Sequence, residues 1–477
     1  MLARTLQRAQ FARALRWRRF AWLWSGQTVS AVGDGAFLTA LAWQVLVLTG
    51  SAAAMGAALV AMTIPLLIFM LVGGVVADRL PRRLTLLWSD GGRAAVTLIV
   101  AALGFAHLLQ FWHLVALTAC FGLAEAFFRP AYQSIPPELV PVEDLPSANA
   151  LSSFSRSVST LIGPALGAAL VSVALPAGAF AFDGLTFVVS AVCLMAMGRV
   201  AEHPRRGEAI SASVIGEAVE VGVMSGARMA APELAEAAPA LEGGGAQPAA
   251  PARRGIRGMF TDIREGLAYV TGSTWLWLTI ALASLGNVAF APLQVSLPLL
   301  VKDTYHQGVW LLGAILTATS VGSIVAMVVV GQFKRIRRRG IVAYVALIIS
   351  SGAVALFGVP LGALGVGALH IGALGGAGGL PAEAALALVA GVVLGAGLGV
   401  FEIIWATTMQ ELVPPDKLGR VSSVDWLGSL CLQPIGLAVV GALTDVIGPA
   451  WIFVAGGLVS MALPLLGLLS REIRHLD

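Results

Sequence analysis

Twelve apolar runs of about 20 residues, each long enough to cross a hydrocarbon layer as a helix, dictate what this chain can fold into. They begin near Phe20, Ala52, Leu84, Trp112, Ala148 and Ala179, and again near Thr274, Val309, Ile341, Ala384, Val421 and Pro449. No water in the bilayer core can satisfy the backbone, so runs of this length close their hydrogen bonds internally as helices. The 58% hydrophobic and 12% charged composition excludes a soluble domain, which needs more polar side chains to cover its core. The fold class is an all-α polytopic membrane protein of twelve transmembrane helices.

The phrase Glu-Leu-Val-Pro stands at Glu138–Pro141 and again at Glu411–Pro414, an offset of 411 − 138 = 273 residues. Leu145 aligns with Leu418 and Gly163 with Gly436 at the same offset, so the repeat covers a loop and two neighbouring helices. Halves repeated in the same order imply a pseudo-twofold axis along the membrane normal and a substrate site where the halves meet. The expected organisation is a basic N-terminal tail (1–19), a six-helix bundle (20–198), a linker (199–257), a second six-helix bundle (258–470) and a short tail (471–477).

Basic residues alternate between loops. The N-terminal tail carries Arg4, Arg8, Arg13, Arg16, Arg18 and Arg19, the second connection Arg79, Arg82 and Arg83, and the eighth Lys334, Arg335, Arg337, Arg338 and Arg339. The opposite loops hold only Lys302. By the positive-inside rule both termini and the linker are expected on the cytoplasmic side of the cell membrane, and the net charge of +4 reflects orientation and calls for no nucleic-acid partner. The first span is too long for a signal-peptide core and lacks a small-residue cleavage site, so retention is expected. Cys120, Cys193 and Cys431 lie inside apolar runs and read as small hydrophobes. The linker, rich in Ala, Gly, Pro and Glu, is expected to be largely disordered with a short surface helix, and the Gly362–Gly379 loop disordered by composition.

The loop Gly74-Val75-Val76-Ala77-Asp78-Arg79-Leu80-Pro81-Arg82-Arg83-Leu84-Thr85 resembles the signature loop of the major facilitator superfamily, with Val76 and Pro81 departing from its pattern. The resemblance implies the fold of two pseudo-twofold-related six-helix bundles. It also implies a cytoplasmic gate of Gly74, Asp78, Arg79, Arg82 and Arg83, in which the aspartate docks on a helix of the other half. A carboxylate facing a helix N-terminus contributes about 0.3–1 kcal/mol. On charge grounds alone the same arginines would serve orientation only. The equivalent loop Gly331–Arg339 lacks the aspartate, which makes the latch one-sided.

In the fifth run, Gly163-Pro164-Ala165-Leu166-Gly167 resembles the antiporter motif of exporters in that superfamily, although small residues four apart also serve ordinary helix packing. Gly26-Gln27-Thr28-Val29-Ser30 with Gly33-Asp34, Phe128-Arg129-Pro130-Ala131 with Ala148-Asn149-Ala150, and Asp262-Ile263-Arg264-Glu265-Gly266 are similar to drug:proton antiporters of the macrolide-efflux and siderophore-export branch. The fourth run lacks the arginine-glutamine-glycine motif that some drug exporters carry.

A charge near the bilayer centre costs about 2.5–3.5 kcal/mol on insertion scales and therefore marks a functional candidate. Asp34, Glu125 and Glu402 are the proton-coupling candidates, with Arg129 and Arg156 as charge partners. Changing the distance between a buried carboxyl and an arginine switches its proton. Asp34 could instead be a helix-interrupting polar group beside Gly33 and Gly35, and Glu125 could be held in a static pair with Arg129 or Arg156. Asp183 and Asp425 read as structural groups near span ends. Phe37, Trp43, Phe121, Phe127, Tyr132, Asn287, Gln294 and Trp405 are candidates to line an amphipathic cavity.

No Walker loop is present, so ATP does not drive this chain, and its six histidines, none paired at metal-ligand spacing in a helix, imply neither a metal nor a cofactor. Ser152-Ser153-Phe154-Ser155 has no histidine partner, against a hydrolase. The sequence reading is a monomeric secondary exporter, not an enzyme, that moves amphipathic small molecules against protons by alternating access. The alternatives are a siderophore or lysolipid cargo, uptake instead of export, or a non-transporting scaffold or sensor.

Overall fold

In the computed structural model, residues 12–198, 256–333, 336–359, 370–371 and 380–476 are described, and the linker candidate before Ile256 lies outside them. By its contacts the chain divides into Met1–Gly198 with Glu265–Asp477 as one unit and Arg199–Arg264 as another. The spans of the first half are α1 (Arg18–Thr49), α2 (Ala52–Arg79), α3 (Arg82–Phe105), α4 (Phe111–Ser134) and α5 (Leu145–Ala196). A helix α6 (Ile256–Thr271) precedes α7 (Thr274–Ala289), α8 (Val309–Val330), α9 (Arg339–Phe357), α10 (Ala382–Leu412), α11 (Pro415–Leu430), α12 (Gln433–Ile447) and α13 (Pro449–Gly467).

Eleven stretches among the described residues are long and apolar enough to span a membrane. One of them, which contains α5, leaves helical geometry at Ala174 and at Leu175 (φ 62°), just before Pro176, and so supplies two spans joined by a tight reversal. Twelve spans result, as the apolar runs require. Being even in number, they return both termini to one end of the bundle, here termed the terminal face; the opposite end is the far face. Of the Gly362–Gly379 loop only His370–Ile371 lies within the described residues, and it pairs antiparallel with Leu380–Pro381.

Two spans of the second half are broken at mid-depth. After α7 the chain continues through the short turns Pro292–Val295 and Leu297–Leu299, whose prolines withhold backbone donors, into a wide turn at Leu300–Thr304. The second break separates α11 from α12 just before Pro434. Asn287 Nδ2 donates 2.9 Å to the carbonyl of Ser429, tying the two breaks together.

The Glu-Leu-Val-Pro repeat has a structural counterpart in each half. Glu138 pairs with Arg82, at the start of α3, and Glu411 pairs with Arg339, at the start of α9, at 2.5 Å. Each glutamate thus fastens the exit of one span to the entry of another on the terminal face.

The halves meet along two seams. In one, α12 lies against α2 so closely that a Cβ on Gly56 would sit 2.4 Å from the carbonyl oxygen of Leu437. In the other, a Cβ on Gly313 of α8 would sit 2.5 Å from the Ala168 methyl and 2.8 Å from the Pro164 oxygen of α5. Pro164 cannot donate to the carbonyl of Thr160, four residues before it, and Ser320 Oγ from the other half donates to that oxygen at 2.6 Å. The proline of the antiporter-like motif therefore creates an acceptor that the seam uses.

At the far face, Gly50 (φ 63°) caps α1 and Ser51 starts α2. Asp445, at the end of α12, accepts the N–H of Ala52 at 2.7 Å and of Ala53 at 3.1 Å and the hydroxyl of Ser51. A carboxylate from one half thus sits on the positive end of a helix in the other. Replacing Asp445 with Asn is expected to cost about 1–2 kcal/mol of this far-face closure, a shift of roughly 5- to 30-fold in population. Spin-label distances between Val47 and Val446, both exposed near the far face, check this: a new long-distance population is expected in the variant, and an unchanged distribution would contradict the role of Asp445.

Candidate functional site

Apolar helices bury ionised groups only when the groups compensate one another. In the first half this principle gathers α1, α3 and the second arm of α5 around one guanidinium. Arg93 and Asp90, three apart on α3, pair at 2.6 Å with both side chains essentially shut off from solvent (3% and 0% exposed). Asp90 also accepts from Ser190 Oγ at 2.7 Å and from Gln27 Nε2 at 3.2 Å, and Gln27 donates to Ser190 at 2.7 Å. The guanidinium carbon of Arg93 stands 4.3 Å from the ring centre of Phe128, 4.4 Å from Phe187 and 5.8 Å from Phe121. Such desolvated cation–π contacts contribute about 2 kcal/mol or more and hold the planar cation where a lysine would not fit.

Asp34 faces this group from α1. Its Oδ2 lies 3.9 Å from Arg93, its side chain is 38% exposed, and its buried Oδ1 has no hydrogen-bond partner. One oxygen thus looks toward the buried cation while part of the side chain reaches solvent-accessible space. Glu125 and Arg129 form the pair their four-residue spacing implies, at 2.7 Å, and Arg129 approaches the ring of Trp426 of the other half at 5.9 Å. Arg156 and Glu402 are exposed.

The other sequence candidates are distributed as follows. Phe37 is buried and stacks on Phe121 with ring centres 4.9 Å apart, so in this conformation both rings belong to the core. Trp43 packs at the edge of that core, and Tyr132 stacks on Phe128 at 5.5 Å. Asn287 spans the breaks of the second half, and Gln294 accepts from Gln433 at 3.4 Å. Trp405 stacks on Phe401 and donates to Asp425 at 3.1 Å. Gly163 and Gly167 press α5 onto α1: a Cβ on Gly163 would lie 2.7 Å from the Gly35 Cα, next to Asp34, and one on Gly167 would lie 2.7 Å from the Ala36 oxygen.

In the gate loop, Arg82 donates to the Ser134 carbonyl at 2.8 Å as well as pairing with Glu138. Arg83 donates to the carbonyls of Leu194 at 2.7 Å and Met195 at 3.2 Å, closing the end of α5. Gly74, Asp78 and Arg79 lie in α2, but the side chains of Asp78 and Arg79 are outside the described residues.

Asp90 and Arg93 were not singled out in the sequence, although Asp90-Gly91-Gly92-Arg93 places opposite charges three apart in an apolar run and was open to that reading. The reading of Asp183 as a cap or pair at a span end is corrected by its position. It is 0% exposed, its Oδ1 lies 2.6 Å from where a Cβ on Gly33 would be, and neither carboxylate oxygen has a hydrogen-bond partner.

A family model described as Major Facilitator Superfamily matches residues 23–424. The chain belongs to this superfamily. Among curated relatives it is similar to macrolide efflux protein A of Streptococcus pyogenes, 21% identical over 96% of this chain and 97% of that one. It is also similar to an uncharacterized MFS-type transporter, YfiS, of Bacillus subtilis, 24% identical over 94% of this chain and 93% of that one. Among solved structures, a POT family transporter superposes with TM-score 0.65 at 14% identity, over 96% of both chains. A bacterial homologue of the iron transporter ferroportin, in its inward-facing state, superposes with TM-score 0.59 at 14% identity, over 94% of this chain and 98% of that one. At these identities the structural likeness concerns the fold.

Replacing Arg93 with Gln leaves Asp90 buried without its cation, and removing one partner of a buried ion pair costs about 3–5 kcal/mol. The midpoint of thermal unfolding in detergent is expected to fall clearly for Arg93→Gln and to recover in the double variant Arg93→Gln with Asp90→Asn. A double variant no more stable than the single one would contradict the pairing as the source of the loss.

Proposed function

We propose that this transporter is a secondary exporter of amphipathic small molecules of the macrolide kind, with efflux coupled to proton influx by alternating access between its two halves. The observation that carries this reading is Asp34: a half-exposed carboxyl, one oxygen unpartnered, facing the shielded Arg93. A carboxyl of this kind holds a proton while it is shut away from water and releases it when the cavity wets or the arginine approaches, so its charge depends on conformation. The Glu125–Arg129 pair is a second switchable element, because Arg129 also approaches Trp426 across the halves and a relative movement of the halves changes its surroundings. The relatives named macrolide efflux protein support the cargo class and direction.

With the arginine-rich N-terminal tail and the Arg82–Arg83 and Arg337–Arg339 loops on the cytoplasmic side, the terminal face is the cytoplasmic one. Asp445 and the α2/α12 seam then close the outer face in this conformation. The broken spans around Asn287, Gln294 and Gln433 supply polar backbone and amide groups within the second half, of the kind by which transporters of duplicated architecture hold cargo. The glycine contacts that press α5 onto α1 beside Asp34 let a shift of the seam reach the carboxyl directly.

Everted membrane vesicles with an imposed pH gradient test this reading, with labelled erythromycin as the probe. Wild type is expected to accumulate the macrolide only while the gradient lasts. Asp34→Asn is expected to abolish gradient-driven transport while the protein still inserts, and Glu125→Gln to reduce it by about ten-fold or more, the effect of roughly 1.4 kcal/mol on a coupling step. Uptake that survives collapse of the gradient, or that neither substitution changes, would overturn proton coupling through these groups.

A further inference from the structure

The cluster around Arg93 contains more acid than base. Asp90 compensates Arg93 at 2.6 Å, and Glu125 is compensated by Arg129 at 2.7 Å. Asp34 and Asp183 are left over, and the groups acting electrostatically on Asp183 are Asp34 from α1 and Arg93 from α3. Asp90 is held by Ser190, on the same helical arm as Asp183, at 2.7 Å.

In this arrangement neither water nor a hydrogen bond is at hand to support a charge on Asp183. It is 0% exposed and neither oxygen has a hydrogen-bond partner. Thr186 Oγ1, its nearest hydroxyl, is spent on the Asp183 backbone carbonyl at 2.7 Å. Glycine at position 33 leaves room for these side chains: a Cβ there would meet Thr186 Oγ1 at 2.2 Å and Asp183 Oδ1 at 2.6 Å. Gly33 therefore brings the Asp183 carboxyl against the residue that precedes Asp34. A buried, unpaired carboxylate is so costly that the group takes a proton instead.

We propose that Asp183 is a second proton-carrying carboxyl of this transporter, working with Asp34 across Gly33, so that each cycle moves two protons. The inference rests on the proton-coupled reading above. In the closed arrangement both acids hold their protons. When the halves move and Asp34 opens fully to water it releases its proton; the water that enters with this movement lets Asp183 ionise, and its proton passes to the vacated Asp34 carboxylate and leaves by the same route. Asp183 then stands ionised beside Arg93 until a proton returns. Two interacting acids of this kind titrate as a pair. Because Asp183 itself has no path to solvent, it acts only through Asp34.

Two measurements on purified protein in liposomes test this. The first is infrared absorption at neutral pH: wild type is expected to show the carbonyl stretch of a buried un-ionised carboxylic acid, and Asp183→Asn to lose it. A spectrum unchanged by the substitution overturns the proposal. The second is the proton-to-erythromycin ratio, obtained by balancing a pH gradient against an opposing macrolide gradient; it is expected to fall by about half in Asp183→Asn, one of two paired acids having been removed. Equal ratios in wild type and variant overturn the two-proton cycle. Should Asp183→Asn fail to insert, Asp183→Leu is read in the same two ways. If wild type moves no erythromycin with the pH gradient, the exporter reading fails, while the infrared result still decides whether Asp183 holds a proton.

Discussion

A guanidinium buried among apolar helices is tolerated only while its charge is balanced, and the first half of this protein is arranged around that requirement at Arg93. Asp90 balances it from the same helix, Ser190 and Gln27 fix Asp90 from two other helices, and three phenyl rings enclose the cation. Because the charge is already balanced within α3, the two further carboxyls that approach it are not needed for compensation. That surplus separates a site with chemistry from a static ion pair. Asp34 reaches partly open space and Asp183 does not, so the same cation faces one acid that can exchange with water and one that is sealed.

The seams between the halves have a different character. Their closest approaches are made by small residues, a carbonyl freed by Pro164 and a carboxylate placed on a helix N-terminus. Beside them Leu299 of the second half is buried with Leu46 and Ala52 of the first. Within each half, by contrast, the duplicated glutamates are bound to Arg82 and Arg339 and tie the loops of the terminal face to their own bundle.

The spans were legible in the sequence because hydrocarbon leaves a 20-residue apolar run no other regular structure. The duplication was legible through Glu138 and Glu411, and the pairing of Glu125 with Arg129 followed from their spacing. Asp90 and Arg93 stand near the middle of α3 (Arg82–Phe105), and their enclosure by Gln27, Ser190 and three phenyl rings from other helices is not visible in any local spacing. Asp183 was misjudged for a related reason. Its depth depends on the reversal at Ala174–Leu175, which starts the second arm of α5 well before it. Asp445 could not be assigned from sequence, since its partner is an exposed helix start 393 residues away in the chain. Linear depth along a span is readable; which faces meet is decided by packing at Gly33, Gly56 and Gly313.

Proton-coupled export through this cluster, as proposed, requires that cargo and protons exclude one another there. Binding calorimetry of erythromycin in two buffers of different ionisation enthalpy tests this on the resting protein without any gradient. Such coupling predicts a binding heat that changes with the buffer, with protons released on binding, and a loss of that dependence when Asp34 is replaced by Asn. A binding heat that is the same in both buffers would contradict it.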